Sequence, residues 1–201
     1  AGVLLRGDGP PQSVLLLGLG GGTVTRQLRA LLPAARVVGV EIDDGIVGIA
    51  RRHMELDAQG VEVHIEDAYA YLARTDEKFD AIVDDLFLTG PTDVVRTRTP
   101  SGKTLSLLKK RLAPGGVLVA NLITDVGEHR TVRLATRAAF KEAFASVRVV
   151  IPPRGLNEIL VGGRKTRPGS VLEAYRGRFA EPHDQKRLAE IRVKLLRNQR
   201  R

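Results

Sequence analysis

The 201-residue sequence predicts an α/β protein built on a mostly parallel sheet that closes with an antiparallel strand. Short apolar, β-branched runs alternate with helical stretches five times, which is typical of a parallel sheet covered by helices on both faces. Two further strand-like runs, Val147 to Ile151 and Glu158 to Val161, are separated by only six residues. Because six residues are too few for a crossover between parallel strands, one of the two should run antiparallel.

The predicted elements follow one another with short connections, and their ends carry the usual signals. Pro33 follows the first helix, Gly60 is a plausible C-cap of the second, and "APGG" stops the fourth. Seven strands are predicted: Ser13 to Leu17, Arg36 to Asp43, Val61 to Ile65, Phe79 to Asp85, Val117 to Ile123 and the two closing runs. The predicted helices are Thr23 to Leu32, Asp44 to Gln59, Ala68 to Arg74, Gly102 to Leu112 and Val126 to Phe144.

The composition is that of a globular domain and excludes several classes of site. Apolar residues make up 43% and charged residues 27%, and the longest apolar runs have the length of strands, so no membrane span is expected. The absence of cysteine excludes disulfides, zinc–thiolate sites and thiol nucleophiles, and the four histidines lack metal-ligand spacing. We therefore expect a cytoplasmic protein without a metal. No signal peptide is visible, and a start at Ala1 indicates trimming or processing.

The net charge of +9 is concentrated near the end of the chain. From Arg164 to Arg201 there are 12 basic and 4 acidic residues, which leaves residues 1–163 near neutrality. The composition changes at "GGRKTRPGS", Gly162 to Ser170, which we interpret as a hinge. The chain therefore divides into a domain of residues 1–163 and a basic, partly helical extension of residues 164–201. The extension is either a solvated face or a contact for nucleic acid, an acidic lipid surface or an acidic partner.

The extension carries an amphipathic pattern. Leu188, Ile191, Leu195 and Leu196 fall on one side of a predicted helix. Such a face packs on its own domain, forms a homodimer contact or receives a partner helix, and the pattern leaves these alternatives open.

A glycine-rich loop follows the first strand. In "VLLLGLGGGTVTRQL", residues 14–28, glycines stand at 18, 20, 21 and 22. Glycine permits the sharp turn from strand to helix and allows a ligand to lie against the backbone, while the new helix N-terminus favours an anionic group. The dinucleotide fingerprint requires a third glycine at position 23, which is Thr23. The spacing Gly18, Gly20, Gly22 therefore indicates a different nucleotide loop.

Two acidic residues follow the next two strands. Glu41 ends the second strand, where a carboxylate can accept both ribose hydroxyls, and Asp67 comes two residues after the third. Asp67 could accept from an adenine amine while the Ala68 N–H points at a ring nitrogen. The alternative is that the acids only cap the following helices, since Asp44 and Asp67 both look like caps. Signals at three successive strand ends favour a binding site at the carboxyl edge of the sheet.

These segments, with "VVGVEIDDGIVGIARRHM", "VEVHIEDAYAYL" and "FDAIVDD", resemble the cofactor domain of the spermidine synthase (polyamine aminopropyltransferase) family over Ser13 to Gly162. They are similar, more loosely, to class I S-adenosylmethionine-dependent methyltransferases. The resemblance implies a Rossmann-like, seven-stranded fold that binds S-adenosylmethionine or its decarboxylated form. It also implies that Glu41 holds the ribose, that Ile42 lies against the adenine, and that Asp67 with Ala68 reads the adenine edge. The loop from Gly18 to Gly22 would face the methionine portion or its decarboxylated counterpart.

The chain departs from the pattern of that family. The aspartate that contacts the amine end of the cofactor is replaced by Gly21, and the equivalent methyltransferase acid by Leu16. The second acid of the loop after the fourth strand falls on Phe87 or Leu88. Because burying an unpaired ammonium is costly, this apolar pair argues against a diamine acceptor. Only 12 residues precede the first strand, so the family's β-stranded amino-terminal segment is absent or was removed.

The first acid of that loop, which orients and deprotonates the attacking amine in the family, falls on Asp85 or Asp84. Adjacent residues of a strand point to opposite faces, so one carboxylate can face the cofactor and take a proton while the other is solvated. Simple solvation of both is the alternative. Tyr69 and Tyr71 are expected to be packing residues. Asn121 ends the fifth strand, where it could face the pocket.

Together these features favour an S-adenosylmethionine-dependent transferase that acts on a small-molecule acceptor. The missing polyamine acids favour methyl transfer, and aminopropyl transfer is the alternative. A non-catalytic nucleoside-binding module whose basic tail binds a partner is a third interpretation. A nicotinamide dehydrogenase is disfavoured by Thr23 and by the closing strand pair.

Overall fold

The computed structural model describes residues 1–90, 94–96, 98–124, 129–153 and 156–196. The strands are β1 (Ser13–Leu17), β2 (Arg36–Glu41), β3 (Glu62–Ile65), β4 (Phe79–Asp84), β5 (Leu88–Thr89), β6 (Val94–Val95), β7 (Leu112–Ile123), β8 (Ser146–Ile151), β9 (Asn157–Gly163) and β10 (Arg192–Leu195). The α-helices are α1 (Thr23–Leu31), α2 (Asp44–His53), α3 (Ala68–Arg74), α4 (Gly102–Lys110), α5 (His129–Ala143) and α6 (Pro182–Glu190), with short 3-10 segments at Gly2–Leu5, Asp57–Gln59 and Gly169–Arg178.

One sheet forms the centre of the molecule. Its strand order is β10-β8-β9-β7-β4-β1-β2-β3. Strands β3, β2, β1, β4 and β7 are parallel, whereas β9 runs antiparallel to both of its neighbours and β10 antiparallel to β8. The predicted α/β fold with a mostly parallel sheet and an antiparallel closing strand is confirmed. The number of strands differs, because the described sheet has eight strands where the sequence predicted seven.

The additional strand comes from the basic C-terminal segment. Helix α6 ends at Glu190, and residues 192–195 pair with residues 148–151 of β8. The prediction of a continuous helix face that includes Leu195 and Leu196 is therefore wrong. The edge of β8 offers backbone hydrogen-bonding groups, and pairing with that edge outweighs the helical pattern of these residues. Val193 packs against the buried core, while Leu195 stays 47% exposed.

The segment interpreted as a hinge pairs with the start of the chain. Thr166 forms a β-bridge with Arg6, and the Arg167 N–H donates to the carbonyl of Leu5 over 2.7 Å. Farther along, Leu172 and Leu188 belong to the same buried cluster as residues of β1 and α1. The boundary at residue 163 stays a prediction, as does any contact of the basic residues with nucleic acid.

Element ends differ from the predictions where the chain turns. Helix α2 stops at His53 instead of Gln59, since Glu55 has a φ of +55° and a 3-10 turn follows before Gly60. Strand β7 begins five residues before the predicted Val117 and includes "APGG". The predicted start of the fifth helix at Val126 lies outside the described residues.

The sheet is buried on both faces. In β1, Val14 and Leu16 belong to one core cluster and Leu15 and Leu17 to the other, and all four are fully buried. A strand covered by helices on both sides shows an apolar run in place of alternation, which explains the pattern "VLLL". This packing brings the carboxyl ends of β1, β2, β3, β4 and β7 to one edge. Within the described residues, no helix is both long and apolar enough to cross a membrane.

We expect Leu188→Ala to lower the free energy of unfolding by about 2–3 kcal/mol, because a buried leucine is replaced by a cavity. Leu188 is only 6% exposed in the core that contains β1. The control Leu195→Ala removes a half-exposed side chain and should change stability by less than about 0.5 kcal/mol. Urea unfolding followed by circular dichroism measures both. If Leu188→Ala leaves the main transition unchanged, the C-terminal segment does not unfold together with the sheet.

Candidate active site

A cavity of about 270 Å³ lies at the edge where the parallel strands end. We call it the strand-end cavity. It is lined by Gly18, Val40, Glu41, Ile42, Glu66, Asp67, Ala68, Tyr69, Leu86, Phe87, Leu88 and Arg98. The structure brings five of the predicted binding residues to one place: Gly18, Glu41, Ile42, Asp67 and Ala68. Gly20 and Gly22, which were also predicted to bind, do not line this cavity. Ile42 is 54% exposed and presents an apolar surface there.

The glycine loop has a backbone that only glycine adopts readily. Gly18 and Gly20 have φ values of +85° and +51°, and Gly22 is the left-handed residue that precedes α1. A Cβ on Gly18 would lie 2.4 Å from the carbonyl oxygen of Asp85, whereas a Cβ on Gly20 would meet no atom within 4 Å. Gly18 thus permits close contact between the ends of β1 and β4, and Gly20 leaves open space beside the loop.

Gly21, which replaces the family's acid, faces Met54 at the end of α2. A Cβ on Gly21 would lie 2.5 Å from the sulfur of Met54, so the methionine side chain occupies the direction that a longer side chain would take. The loop keeps its backbone and has an apolar neighbour at this position.

Glu41 joins the glycine loop to the end of β2. One oxygen, Oε2, accepts from the Gly20 N–H over 2.8 Å, and Oε1 accepts from the N–H groups of Ile42 (2.9 Å) and Asp43 (3.2 Å). Glu41 is only 9% exposed. A carboxylate oxygen can accept more than one hydrogen bond, so these contacts are compatible with ribose hydroxyls at the same group.

Asp67 serves as a helix cap and also lines the cavity. Its Oδ1 accepts from the N–H groups of Tyr69 and Ala70, both over 2.9 Å. Ala68 is the first residue of α3, so its N–H belongs to the group that a helix leaves without an internal partner. The capping alternative is therefore correct for Asp67 without removing it from the cavity. On α2 the cap is Asp43 and not the expected Asp44.

Asp84 lies in a buried ion pair. Its side chain is fully buried, and Oδ1 accepts from Nη1 of Arg96 over 2.8 Å. The Arg96 guanidinium also donates to the carbonyl of Asn121 and lies 4.7 Å from the ring centre of Phe87. This contact ties the segment after β4 to the ends of β4 and β7. The second oxygen of Asp84, Oδ2, is buried, and no group in the described part of the chain donates a hydrogen bond to it.

Asp85 lines a second cavity that is separate from the strand-end cavity. This second cavity of about 300 Å³, which we call the α1 cavity, is bounded by α1 and by the ends of β4, β7 and β9. The Asn121 Nδ2 donates to Asp85 over 2.8 Å, and the Asn157 Nδ2 donates to Asn121 over 2.9 Å. Burial raises the pKa of Asp85, and this effect outweighs the opposing influence of Asn121 and Arg96.

Tyr69 contributes more to the site than the packing role expected for it. Its hydroxyl is buried and has no hydrogen-bond partner among the described residues, and the Arg98 guanidinium lies 4.4 Å from its ring centre. Burial, assisted by the charge of Asp84, raises the pKa of Tyr69 to about 12. Tyr71 is the buried packing residue that was expected.

Sequence reasoning missed Arg96 and Arg98, because neither belongs to a local motif. The one available signal was the pair Asp84–Asp85 at the end of a buried strand, since a buried carboxylate requires a cation. Among the described residues, no group of three histidine, aspartate or glutamate side chains is placed to hold a metal ion.

The sheet order, the glycine loop and the acids at the strand ends define a Rossmann-like α/β domain of the class I methyltransferase type. Comparison with known proteins identifies the family. Residues 2–153 match the family model of the spermine/spermidine synthase domain. The chain therefore belongs to the spermine/spermidine synthase family.

Individual relatives agree with this assignment. A probable polyamine aminopropyl transferase of Bifidobacterium longum is 34% identical over 112 residues, which cover 55% of this chain and 24% of the relative. In eight curated relatives the matched part is 22–56% of the relative's own length, so the chain spans about half of such a protein or less.

Solved structures share the fold. Human methyltransferase-like protein 13, in complex with SAH, has a TM-score of 0.70 at 23% identity, covering 93% of this chain and 85% of that protein. A probable spermidine synthase from Corynebacterium glutamicum has a TM-score of 0.69 at 22% identity, covering 91% and 66%.

We expect Gly18→Ala to lower the free energy of unfolding by about 3 kcal/mol, because it combines a left-handed backbone with a clash against the Asp85 carbonyl. Gly20→Ala is the matched control, since it shares the positive φ but faces open space. It should cost only about 1 kcal/mol. Chemical denaturation distinguishes the two variants, and equal losses would show that the contact with Asp85 does not constrain the loop.

Asp85→Asn should make the protein more stable than the wild type at pH 7. Folding raises the pKa of this carboxyl group from about 3.8 in the unfolded chain. Such a group lowers the stability of the protein as the pH rises from the unfolded-state pKa through the folded-state pKa. The gain should therefore disappear as the pH falls below about 4. Urea unfolding of both proteins between pH 3 and pH 8 measures this difference. The exposed control Asp44→Asn should show no such gain, and a gain that persists at low pH would contradict the argument.

Proposed function

We propose that this domain binds decarboxylated S-adenosylmethionine and transfers its aminopropyl group to an amine. The observation that carries the proposal is the convergence of Gly18, Glu41 and Asp67 on the strand-end cavity, together with a second cavity that Asp85 lines. Membership of the spermine/spermidine synthase family supports this reaction in preference to the methyl transfer that the sequence alone favoured. The relative from Bifidobacterium longum carries the name of the same activity.

The residues of the strand-end cavity fit the nucleoside part of such a donor. Glu41 would hold the ribose hydroxyls, Asp67 and the Ala68 N–H would bind the adenine edge, and Ile42 would cover the ring. The open space at Gly20 leaves room for the chain that leads from the ribose to the sulfur. The contact between Gly18 and Asp85 marks the place where the two cavities approach each other.

The sulfonium of the bound donor supplies an electrophilic carbon. Asp85 would accept the proton that the acceptor amine must release, and its raised pKa brings it nearer to neutral pH, where a general base is more effective. Asn121 holds one oxygen of Asp85 and thereby orients the carboxylate. Asp84 is already paired with Arg96, so we assign it a positioning role in the wall of the site.

Methyl transfer from S-adenosylmethionine is the second candidate, and two observations favour it. No acid stands at Gly21, where the family binds the amine end of the donor, and the space is occupied by Met54. The second polyamine acid falls on Phe87 or Leu88, and both of these apolar residues line the strand-end cavity.

Asp67→Asn should weaken binding of methylthioadenosine at least about tenfold, because the amide replaces a charged acceptor of the adenine amine. Asparagine is as good an N-cap as aspartate, so stability should change little. The control Asp43→Asn alters the matching cap of α2, which does not line the cavity, and should leave affinity unchanged. Isothermal titration calorimetry measures the affinities.

The same titration with both full donors separates the two candidates. Binding of decarboxylated S-adenosylmethionine in preference to S-adenosylmethionine supports aminopropyl transfer, and the reverse preference supports methyl transfer. Absence of heat with every nucleoside contradicts both.

A further inference from the structure

We propose that the acceptor is a primary amine with a single ammonium group on an apolar body, and that it binds in the α1 cavity with its amine at Asp85. The proposal rests on the proposed function and names the substrate class of the same site. It differs from the polyamine that the names of relatives give.

The lining of the α1 cavity supports this class of acceptor. Most of its wall is apolar and is formed by Val24, Leu28, Leu31, Val83, Val119 and Ile159. The uncharged polar side chains in the lining are Gln27, Asn121 and Asn157, and residues 1–3 also border the cavity. Among the described residues that line it, Asp85 is the one carboxylate. A cavity with one negative group and largely apolar walls is complementary to one ammonium on a hydrocarbon chain or ring.

No described acid besides Asp85 lines the α1 cavity to receive a second ammonium. Asp84 is fully buried and paired with Arg96, and Asp184 lines a neighbouring cavity. The family's second acid falls on Phe87 or Leu88, which line the strand-end cavity and not the α1 cavity. The amide oxygen of Asn121, which accepts from Asn157, carries no charge to neutralise an ammonium. A second ammonium in the α1 cavity would therefore be buried without a charged partner, which is unfavourable.

The acceptor ammonium first gives one proton to Asp85, whose carboxylate becomes neutral, and this leaves a neutral amine nitrogen with a free electron pair. That nitrogen forms a bond to the carbon beside the sulfonium while the bond between that carbon and the sulfur breaks. The electron pair of the broken bond passes to sulfur, which becomes the neutral thioether of methylthioadenosine. The product leaves as a secondary ammonium, and Asp85 then returns its proton to water. The net charge of the reacting groups is +1 on both sides of the transfer, and no other reactant is needed.

Butylamine and 1,4-diaminobutane make a matched pair of probes, because they differ only in the second amine. With decarboxylated S-adenosylmethionine as donor, we expect kcat/KM for butylamine to exceed that for 1,4-diaminobutane at least about tenfold. Mass spectrometry of the aminopropylated product and of methylthioadenosine follows the reaction. Calorimetry with methylthioadenosine is run on the same protein to test donor binding separately.

A second carboxylate in the α1 cavity tests whether the lack of a charged partner is what excludes the diamine. Gln27 is an exposed residue of α1 that also lines the α1 cavity, so Gln27→Glu adds a carboxylate of nearly the same shape. We expect this variant to raise the ratio of diamine to monoamine use several-fold. Gln12→Glu makes the same change at an exposed residue that does not line the cavity and should leave the ratio unchanged.

Each outcome bears on a defined claim. Preference for butylamine with the expected effect of Gln27→Glu supports the proposal. Three results overturn it when the donor still binds: equal or better use of the diamine, turnover of neither amine, or an unaltered ratio in Gln27→Glu. These results leave the nucleoside site intact. Absence of donor binding overturns the proposed function itself.

Discussion

The close contact between the ends of β1 and β4 is the constraint on which the site depends. The Asp85 N–H donates to the carbonyl of Leu17 over 2.9 Å, and the Gly18 N–H donates to the carbonyl of Val40 over 3.0 Å. These bonds extend the parallel pairing past the last residues of the strands. Because the Asp85 carbonyl lies directly against Gly18, a side chain at that position would separate the strands and move both cavities.

The two aspartates at the end of β4 lie in different environments. Arg96 neutralises Asp84 inside the protein, at the cost of burying both groups, and in return the segment after β4 is tied to the sheet. Among the described residues no cation forms an ion pair with Asp85, whose carboxylate accepts from Asn121, and burial makes its ionised form less favoured. Two adjacent aspartates thus acquire different properties, one suited to holding structure and the other to accepting a proton.

The glycine loop and the acids at the strand ends could be predicted from the sequence, because each depends on residues close to it in the chain. The glycines, Glu41 and Asp67 stand within a few residues of strand ends, and the parallel sheet brings such ends together. Arg96 could not be recognised in the same way, since its partner Asp84 is 12 residues away across a segment without a motif. Nor could the sequence choose between Asp84 and Asp85, because the alternation of a strand assigns them to opposite faces without saying what covers each face.

The sequence by itself determined the α/β class, the antiparallel closing strand and the three strand-end groups, because hydrophobic period, glycine and short connections act over a few residues. Only the tertiary structure decided the eighth strand, the ion pair of Asp84 and the separate cavity of Asp85. The C-terminal "RVKL" became a strand because the edge of β8 supplied hydrogen-bonding partners, and Asp85 lines a cavity because α1, β7 and β9 meet beside it. Such partners are distant in sequence, so no local sequence pattern predicts these contacts.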